Sequence, residues 1–430
     1  MNYQNTLDFA QKQDQEDVLQ HFREKFHLPT QLHKQVIYFC GNSLGLQPKN
    51  VRSYIEKELT LWQDYAVEGH FVGDHPWMDY HKALKKPMTT IFGAKAHELT
   101  VMNSLTVNLH LMMATFYRPT ATRYKILMEA GAFPSDQYAM ESQAKLHGFD
   151  YEDAVVEIAP REGEHTIRTE DIITTIEQLG NSLALVMFSG VNYYTGQVFD
   201  MPAITKAGHN TGAYVGFDLA HAAGNVALKL HEWDIDFAVW CSYKYLNSSP
   251  GGVSGVFIHE KNATNTSLPR LAGWWGHNEE RRFLMERGFQ AEPNVDGWQL
   301  SNAQVLLQAA HLASLEIFAE AGMPNLIAKS KNLTSFLEFV IQEVTKEAHF
   351  PIEIITPNEA RGCQLSLHVP QEGKKLFDYL HQNGVIGDWR EPNSIRIAPV
   401  PLYNSFEDVF RFGQILQEAI TKLQAPLRST

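Results

Sequence analysis

A lysine and an aspartate that follow two apolar segments give the first indication of chemistry. Lys244 comes shortly after the apolar run Phe237–Cys241, and Asp218 comes directly after the run Ala213–Phe217. Pyridoxal phosphate chemistry needs both groups, because a lysine holds the aldehyde as a Schiff base while a carboxylate pairs with the pyridine nitrogen. A lysine after a strand is also an ordinary solvated loop residue, and an aspartate there is an ordinary turn former. The pair predicts a cofactor site only if other residues complete it.

Other junctions between apolar and helical segments also carry polar or aromatic side chains. Thr106 opens a helical segment, where a hydroxyl, backbone amides and the positive end of the helix dipole suit a phosphate. Phe133 has a flat face that can stack on a cofactor ring, and Asp136 follows it by three residues. Ligands of open α/β sheets gather at the carboxyl ends of strands, so these residues are expected near Lys244. The full set is Leu105, Thr106, Phe133, Pro134, Ser135, Asp136, Ser189, His221 and Tyr243.

Each of these positions also has an ordinary structural explanation. Thr106 and Asp136 could cap helices without binding a ligand, and Phe133 could form a hydrophobic staple. His221 could be a packed histidine, and Tyr243 a buried structural tyrosine. The residues alone leave both explanations open, although several polar strand ends at one predicted edge favour a ligand site.

The elements that must position these residues alternate between strand and helix patterns. Apolar strand-like runs recur from Leu99 to Ile258, separated by segments with helical periodicity. Such alternation predicts an α/β fold in which helices cover a mostly parallel sheet. From about residue 303, two long helical segments precede short strand-like runs, which predicts a smaller α+β domain. We therefore expect a large cofactor-binding domain at 50–315 and a small domain formed by 1–49 and 316–430.

The composition is that of an enzyme-sized globular chain. The 430 residues are 44% hydrophobic and 20% charged, and the net charge of -13 argues against nucleic acid or an anionic membrane as a partner. Three scattered cysteines and an N-terminal segment without an apolar core favour the cytoplasm over a secreted, disulfide-linked protein. No Gly-x-x-x-x-Gly-Lys-Ser/Thr, Gly-x-Gly-x-x-Gly or His-Glu-x-x-His motif occurs, so neither nucleotide chemistry nor a metal is expected.

Six motifs, in order between about residues 36 and 412, resemble kynureninase, a fold-type I pyridoxal phosphate enzyme related to the class V aminotransferases. They are Tyr38–Lys49, Phe133–Asp136, Phe188–Val191, Ser242–Asn247, Gly273–His277 and Arg396–Ser405. The resemblance implies hydrolysis of the Cβ–Cγ bond of L-kynurenine or 3-hydroxy-L-kynurenine. The products would be L-alanine and anthranilate or 3-hydroxyanthranilate, within tryptophan catabolism.

The resemblance also implies a role for each site residue. Lys244 would hold pyridoxal 5'-phosphate as a Schiff base and later take the Cα proton, Asp218 would pair with the ring nitrogen, and Tyr243 would deliver protons. Leu105, Thr106, Phe133, Pro134, Ser135, Asp136, Ser189 and His221 would complete the cofactor site. Trp274 and Asn302 would reach the cofactor from the partner subunit of a homodimer, or from its edge. The substrate residues would be Ser43, His70, Asn302 and Arg396, with Arg396 binding the α-carboxylate through its planar guanidinium.

His70 and Asn302 bear on the choice of substrate. In the family, their positions face the aromatic ring of the substrate, and a histidine and an amide can hydrogen-bond a 3-hydroxyl group. We therefore expect a preference for 3-hydroxykynurenine, which would place the enzyme on the route toward quinolinate and NAD. The structural alternative is that both residues only fix loops.

Two other functions stay open from the sequence. A cysteine desulfurase or another relative of the class V aminotransferases would share Asp218, His221 and Lys244. A desulfurase needs a mobile nucleophilic cysteine late in the chain, and Cys363 lies in an apolar strand-like segment, a poor setting for an exposed thiolate. A non-catalytic binding protein with the same scaffold is the third possibility, which the joint presence of Lys244, Asp218 and Arg396 opposes.

Overall fold

The computed structural model of the chain describes residues 2–31 and 33–425 and divides into two compact units. The larger unit comprises 50–193 and 198–319, and the smaller comprises the described residues of 2–31, 33–49, 194–197 and 320–425. The α-helices are α1 (Leu7–Glu16), α2 (Val51–Tyr65), α3 (Tyr80–Phe92), α4 (Leu105–Phe116), α5 (Pro134–Leu146), α6 (Tyr151–Ala154), α7 (Thr169–Leu179), α8 (Met201–Thr211), α9 (Glu260–Ala263), α10 (Val305–Ala321), α11 (Met323–Ala348), α12 (Gly373–Gln382) and α13 (Phe406–Gln424). The strands are β1 (Thr30–Gln31), β2 (Lys34–Gln35), β3 (Ile37–Tyr38), β4 (Leu99–Val101), β5 (Lys125–Glu129), β6 (Val155–Ile158), β7 (Leu183–Ser189), β8 (Tyr214–Asp218), β9 (Phe237–Trp240), β10 (Gly255–Ile258), β11 (Glu353–Ile354), β12 (Leu365–His368), β13 (Val385–Ile386), β14 (Asp388–Arg390) and β15 (Ser394–Ile397).

The larger unit is built on a seven-stranded sheet with the strand order β4-β10-β9-β8-β7-β5-β6. Strands β6, β5, β7, β8 and β9 run parallel to one another, whereas β10 is antiparallel to both β9 and β4. Almost every residue of β7, β9 and β10 is buried, as expected for strands covered on both faces. The mostly parallel sheet predicted from the alternating pattern is confirmed.

Close packing beside the sheet depends on small residues at particular positions. A Cβ atom at Gly216 on β8 would lie 2.1 Å from the ring of Phe237 on β9, so only glycine leaves room for that ring. The Phe237 ring in turn stacks on Phe116 of α4, with centroids 4.7 Å apart. This packing fixes α4 against the sheet and thereby fixes the start of α4, where Leu105 and Thr106 lie.

The smaller unit contains an antiparallel sheet of order β11-β12-β15-β14. Its core joins this sheet to helices α11, α12 and α13 through side chains such as Leu337, Leu365 and Phe412. Arg396 lies on β15, opposite Ser366 on β12 and Asp388 on β14. Within the part of the chain that is described, no helix is both long enough and apolar enough to cross a membrane.

Some boundaries differ from those expected. The polar sequence at 6–26 is compatible with one helix, but α1 ends at Glu16, because the Asp17 side chain accepts the Leu19 amide at 2.9 Å and turns the chain before a 3₁₀ segment at Gln20–Lys25. The expected domain limit at 315 falls inside α10, which is continuous to Ala321. The short segment 194–197, expected in the large domain, groups with the smaller unit, since the Ser366 hydroxyl donates to the Tyr194 carbonyl at 2.6 Å.

Candidate active site

A pocket in the larger unit lies where β5, β7, β8 and β9 end and where α4 and α5 begin. It encloses about 530 Å³ of space between protein atoms, part of which is open to solvent. Strand carboxyl ends meet at this edge because the four strands are parallel. The lining residues are Leu105, Thr106, Phe133, Ser135, Asp136, Ser189, Val191, Tyr193, Asp218, Ala220, His221, Cys241, Tyr243 and Lys244.

Lys244 occupies the turn after β9 and brings an amine into the pocket. Its Nζ lies 3.0 Å from Nε2 of His221, which follows β8. The same Nζ lies 5.8 Å from the centre of the Phe133 ring, and that ring is itself partly exposed. An amine, an imidazole and an accessible aromatic face therefore share one cavity.

Two buried carboxyl groups stand in the same pocket. Asp218 ends β8 and Asp136 lies in the first turn of α5, and a hydrogen bond links their side chains. Burial raises the pKa of both groups, and the charge of Asp218 raises the pKa of Asp136 further, whereas Lys244 opposes the rise at each. Burial and the charge of Asp218 both favour the protonated form of Asp136. Among the described residues, the buried Asp136 Oδ1 has no hydrogen-bond partner.

The starts of two helices supply hydroxyl groups on another side of the pocket. Thr106 is the second residue of α4 and Ser135 the second of α5, and their hydroxyl oxygens lie 2.8 Å apart. The Ser104 side chain, at the N-cap of α4, makes no capping hydrogen bond. Two helix starts with adjacent hydroxyls have the donors that a phosphate group requires.

These residues fit pyridoxal 5'-phosphate. The cofactor has an aldehyde for an amine, a basic ring nitrogen for a carboxylate, a flat ring and a phosphate. In the pocket, Lys244 suits the aldehyde and Asp218 suits the ring nitrogen. Phe133 can stack on the ring, and Thr106 with Ser135 can bind the phosphate. The partnerless Asp136 Oδ1 is an additional buried acceptor that a polar ligand atom can satisfy.

Tyr243 and Cys241 line the pocket beside Lys244. Burial raises the pKa of the Tyr243 phenol well above its usual value, and the neighbouring Cys241 raises it further. Burial likewise raises the pKa of the Cys241 thiol. Both groups therefore carry their protons at neutral pH, and the Cys241 thiol is not in the nucleophilic thiolate form.

The structure does not bring every expected site residue to the pocket. Pro134 begins α5 but is not among the lining residues. His70, Trp274 and Asn302 belong to the larger unit, yet none of them lines this cavity. Ser43 and Arg396 belong to the smaller unit. In that unit Arg396 is buried and forms an ion pair with Asp388, which also contacts the Arg390 Nε at 3.1 Å.

Some pocket residues were missed in the sequence. Val191, Tyr193, Ala220 and Cys241 line the cavity, and Glu129 lies buried at the end of β5. The sequence pattern that marks Asp218 as a candidate site residue also occurs at Glu129, which is an acidic residue at the end of an apolar strand-like run. Val191 and Ala220 have side chains that give no chemical signal, whereas the phenol of Tyr193 and the thiol of Cys241 could have been considered.

A possible metal cluster and the cysteines can be judged from their contacts. Glu98, His231 and His259 lie close enough to share an ion, but Glu98 already accepts hydrogen bonds from His231, Lys95 and Glu260. His259 Nδ1 accepts a hydrogen bond from the Lys261 amide, so the hydrogen bonds of these residues explain the cluster without an ion.

The cysteines do not offer the exposed thiol of a desulfurase. Cys241 and Cys363 are buried, and Cys40 is partly buried.

Comparisons with known proteins cover almost the whole chain. The family model "Aminotransferase class-V" matches residues 37–362, and "Kynureninase C-terminal domain" matches residues 326–416. A kynureninase from Flavobacterium psychrophilum is 58% identical over 98% of this chain and 99% of its own length. The human kynureninase is 50% identical over 94% of this chain and 90% of its own length.

Solved structures with low sequence identity share the fold. The cysteine desulfurase CsdA from Escherichia coli superimposes with a TM-score of 0.76 over 94% of this chain and 98% of its own, at 15% identity. A mutant of C-DES, described with glycine covalently linked to its PLP cofactor, gives a TM-score of 0.73 over 89% and 96%, also at 15% identity. At this identity the likeness establishes the class V aminotransferase fold alone.

Proposed function

The chain belongs to the kynureninase family of carbon–carbon bond hydrolases, and from that premise we propose that it cleaves the Cβ–Cγ bond of L-kynurenine and 3-hydroxy-L-kynurenine with pyridoxal 5'-phosphate held on Lys244. The products would be L-alanine and anthranilate or 3-hydroxyanthranilate. The observation that carries the proposal is the pocket that combines Lys244 with the buried Asp136–Asp218 pair. An amine for the aldehyde and a carboxylate for the ring nitrogen are the groups that this cofactor requires.

The pocket residues divide between holding the cofactor and moving protons. Pyridoxal phosphate supplies an electron sink for negative charge that develops at the substrate Cα. Asp218 would pair with the ring nitrogen, Phe133 would cover one face of the ring, and Thr106 with Ser135 would bind the phosphate. Leu105, Pro134, Asp136, Ser189 and His221 would complete this holding set.

Lys244 would move the proton at the substrate Cα. Lys244 would hold the aldehyde of the cofactor through Nζ, and the same amine would act as the general base toward the substrate Cα. His221, whose Nε2 lies 3.0 Å from that Nζ, would keep the amine inside the pocket. The base is thus supplied by the same residue that anchors the cofactor.

Tyr243 would return a proton to the alanine fragment. Hydrolysis needs a water molecule to add to the γ-carbonyl of the substrate, after which the bond to the aromatic half breaks and the Cβ atom must gain a proton. The Tyr243 phenol carries its proton at neutral pH, as a tyrosine with a pKa at or above its usual value does, so it has a proton to give. Lys244 would thus remove the proton at Cα, and Tyr243 would supply the proton at Cβ.

Arg396 would bind the substrate α-carboxylate. A guanidinium group binds a carboxylate through two parallel hydrogen bonds, which also fixes its orientation. The ion pair with Asp388 holds the Arg396 side chain in the smaller unit. Ser43 would assist in binding the same substrate.

His70 and Asn302 would favour the 3-hydroxylated substrate. His70 Nδ1 lies 2.9 Å from the Val67 carbonyl, so Nδ1 carries the proton and Nε2 is left as an acceptor for a phenolic proton. The His70 ring packs edge-on against Trp77, whose Nε1 donates to Glu58 at 2.8 Å. Asn302, just before α10, is exposed and would reach the ring of the substrate.

We propose a homodimer with the active site at the subunit interface. Support comes from a cluster of exposed apolar side chains in the larger unit, which includes Trp274, Phe283 and Met285. Trp274 and Asn302 lie outside the pocket lining of their own subunit, as expected if they complete the site of the partner. A cytoplasmic location stays a prediction of the sequence, and cell fractionation would test it.

The reaction is tested by incubating the purified, cofactor-loaded protein with each substrate. The proposal expects alanine and the matching aromatic acid in equal amounts, with faster turnover of 3-hydroxykynurenine. Faster turnover of kynurenine would contradict the specificity proposal alone, whereas no aromatic acid from either substrate would overturn the proposed function.

A further inference from the structure

A third buried carboxyl group stands directly behind the pocket. Glu129 ends β5, is only 1% exposed, and lies beside Ser189 at the end of β7. The Ser189 amide nitrogen lies 3.2 Å from each Glu129 carboxylate oxygen, and the Ser189 hydroxyl also donates to Oε1. Ser189 is the paired neighbour of Asp218 on β8. Glu129 is therefore joined through one residue to the strand end that carries Asp218.

Glu129 interacts electrostatically with the two buried aspartates of the pocket. Burial raises the pKa of Glu129 to about 7, the charge of Asp218 adds to the rise, and the hydrogen bonds from Ser189 oppose it. Glu129 in turn raises the pKa of Asp136 on α5, while Lys244 lowers the pKa of both Asp136 and Asp218. Three buried carboxyl groups thus act on one another across the ends of β5 and β8 and the start of α5, with one amine nearby. Such a cluster stabilises a cation that enters it.

We propose that Glu129 is a positioning residue for the cofactor: it fixes Ser189 through both of that residue's donors and adds a negative charge that favours a protonated ring nitrogen beside Asp218. The inference rests on the proposed function, because it requires Asp218 to pair with the ring nitrogen. Glu129 itself contacts neither substrate nor cofactor.

A carboxylate suits this position better than an amide would. Both oxygens of a carboxylate accept hydrogen bonds, which matches the two donors of Ser189, whereas a glutamine has one acceptor and would turn its own donor toward Ser189 or the pocket. Only the carboxylate carries charge. Because its pKa lies near 7, Glu129 is largely neutral at pH 6 and largely ionised at pH 8 in the ligand-free protein.

The test compares two ligands of nearly the same shape. The cofactor is removed from full-length Glu129→Gln protein, and dissociation constants are measured for pyridoxal phosphate and for the analogue in which a ring C–H replaces the ring nitrogen. At pH 8 the substitution is expected to weaken pyridoxal phosphate binding about tenfold relative to the analogue, which corresponds to about one pKa unit. The difference is expected to shrink at pH 6. Glu157→Gln, an exposed glutamate on the neighbouring strand β6, is the matched control and should leave both constants unchanged.

The outcomes separate this inference from the proposed function. Equal weakening of both ligands in Glu129→Gln would show a purely structural role and overturn the inference. Asp218→Asn should abolish the preference for pyridoxal phosphate over the analogue, and if it does not, the proposed pairing of Asp218 with the ring fails. If Glu129→Gln does not fold, Glu129→Asp serves instead, because it keeps the charge with a shorter side chain. Glu129→Asp is expected to retain the preference, and its loss there would overturn the inference.

Discussion

Lys244 is the residue on which the proposed chemistry depends most. Replacing it with alanine removes both the anchor for the cofactor and the base at Cα, so we expect the turnover number to fall by about 10³-fold or more. Borohydride treatment of the loaded wild-type protein should fix the cofactor to the peptide that contains Lys244, and mass spectrometry would detect it. Lys229→Ala removes an exposed lysine that forms an ion pair with Glu232 outside the pocket, and it should change neither result. Cofactor fixed on a different lysine would contradict the assignment.

A substitution at Arg396 tests how the substrate carboxylate is bound. Arg396→Lys keeps the charge but loses the planar pair of donors, and we expect kcat/KM to fall roughly 10- to 100-fold, mainly through KM. Steady-state kinetics with kynurenine would measure the change, and Arg118→Lys, at an exposed arginine in the larger unit, is the control. A fall in kcat with KM unchanged would argue that Arg396 acts on the chemical step and not on binding.

At the scale of elements, the 3₁₀ turn Ala66–His70 is proposed to carry substrate selectivity. His70→Phe removes the acceptor at Nε2 but keeps an aromatic ring beside Trp77. We expect kcat/KM for 3-hydroxykynurenine to fall about tenfold or more while that for kynurenine changes little, because an unpaired polar group in a site is costly. Assays with the two substrates in parallel measure this ratio. His75→Phe, in the exposed loop before α3, controls for an added phenyl group, and an equal fall for both substrates in His70→Phe would contradict the selectivity role.

The sheet and its ligand edge could be predicted because both have local signals. Apolar runs in alternation with helical periodicity predict a parallel sheet, and polar residues that end those runs must meet at one edge. Asp218, Ser189, Asp136 and Lys244 do line one pocket in the structure. The contact between Lys244 and His221 could not be predicted, since it depends on how two turns fold after β8 and β9.

Other features could not be predicted, because they depend on contacts between distant segments. The segment 194–197 joins the smaller unit through hydrogen bonds from Thr356 and Ser366, which lie more than 150 positions later. The strand Asp388–Arg390 is too short to show periodicity. Whether Trp274 and Asn302 complete a site stays a prediction, because it depends on a second subunit.

At the scale of the whole molecule, the exposed apolar cluster predicts assembly. Met285 is 77% exposed and lies in a groove with Trp274 and Phe289, and burial of such side chains normally drives association. Met285→Glu is expected to shift the protein from dimer toward monomer in sedimentation experiments and to lower activity in parallel. Leu146→Glu, equally exposed at 77% at the end of α5, is the matched control. A wild-type protein that sediments as a monomer at micromolar concentration would contradict the dimer.

The buried acids predict how the stability of the cofactor-free protein depends on pH. Burial raises the pKa of Glu129 to about 7, above its value in the unfolded chain, so the folded state binds more protons between about pH 4.5 and 7. Its contribution is therefore present at low pH and is lost as the pH rises through about 7, by on the order of 3 kcal/mol. Chemical denaturation should show Glu129→Gln gaining stability relative to wild type from pH 5 to pH 8. A difference that stays constant with pH would show that Glu129 does not titrate in this range.

The most direct measurement of the central claim is the identity of the products. Purified, cofactor-loaded protein is incubated with 3-hydroxykynurenine or kynurenine, and alanine and the aromatic acids are quantified by mass spectrometry, with Lys244→Ala protein as the blank. The pocket at Lys244 predicts one alanine for each molecule of 3-hydroxyanthranilate or anthranilate, and no product above background in the blank. Substrate loss without an anthranilate, or equal product from Lys244→Ala protein, would contradict the account.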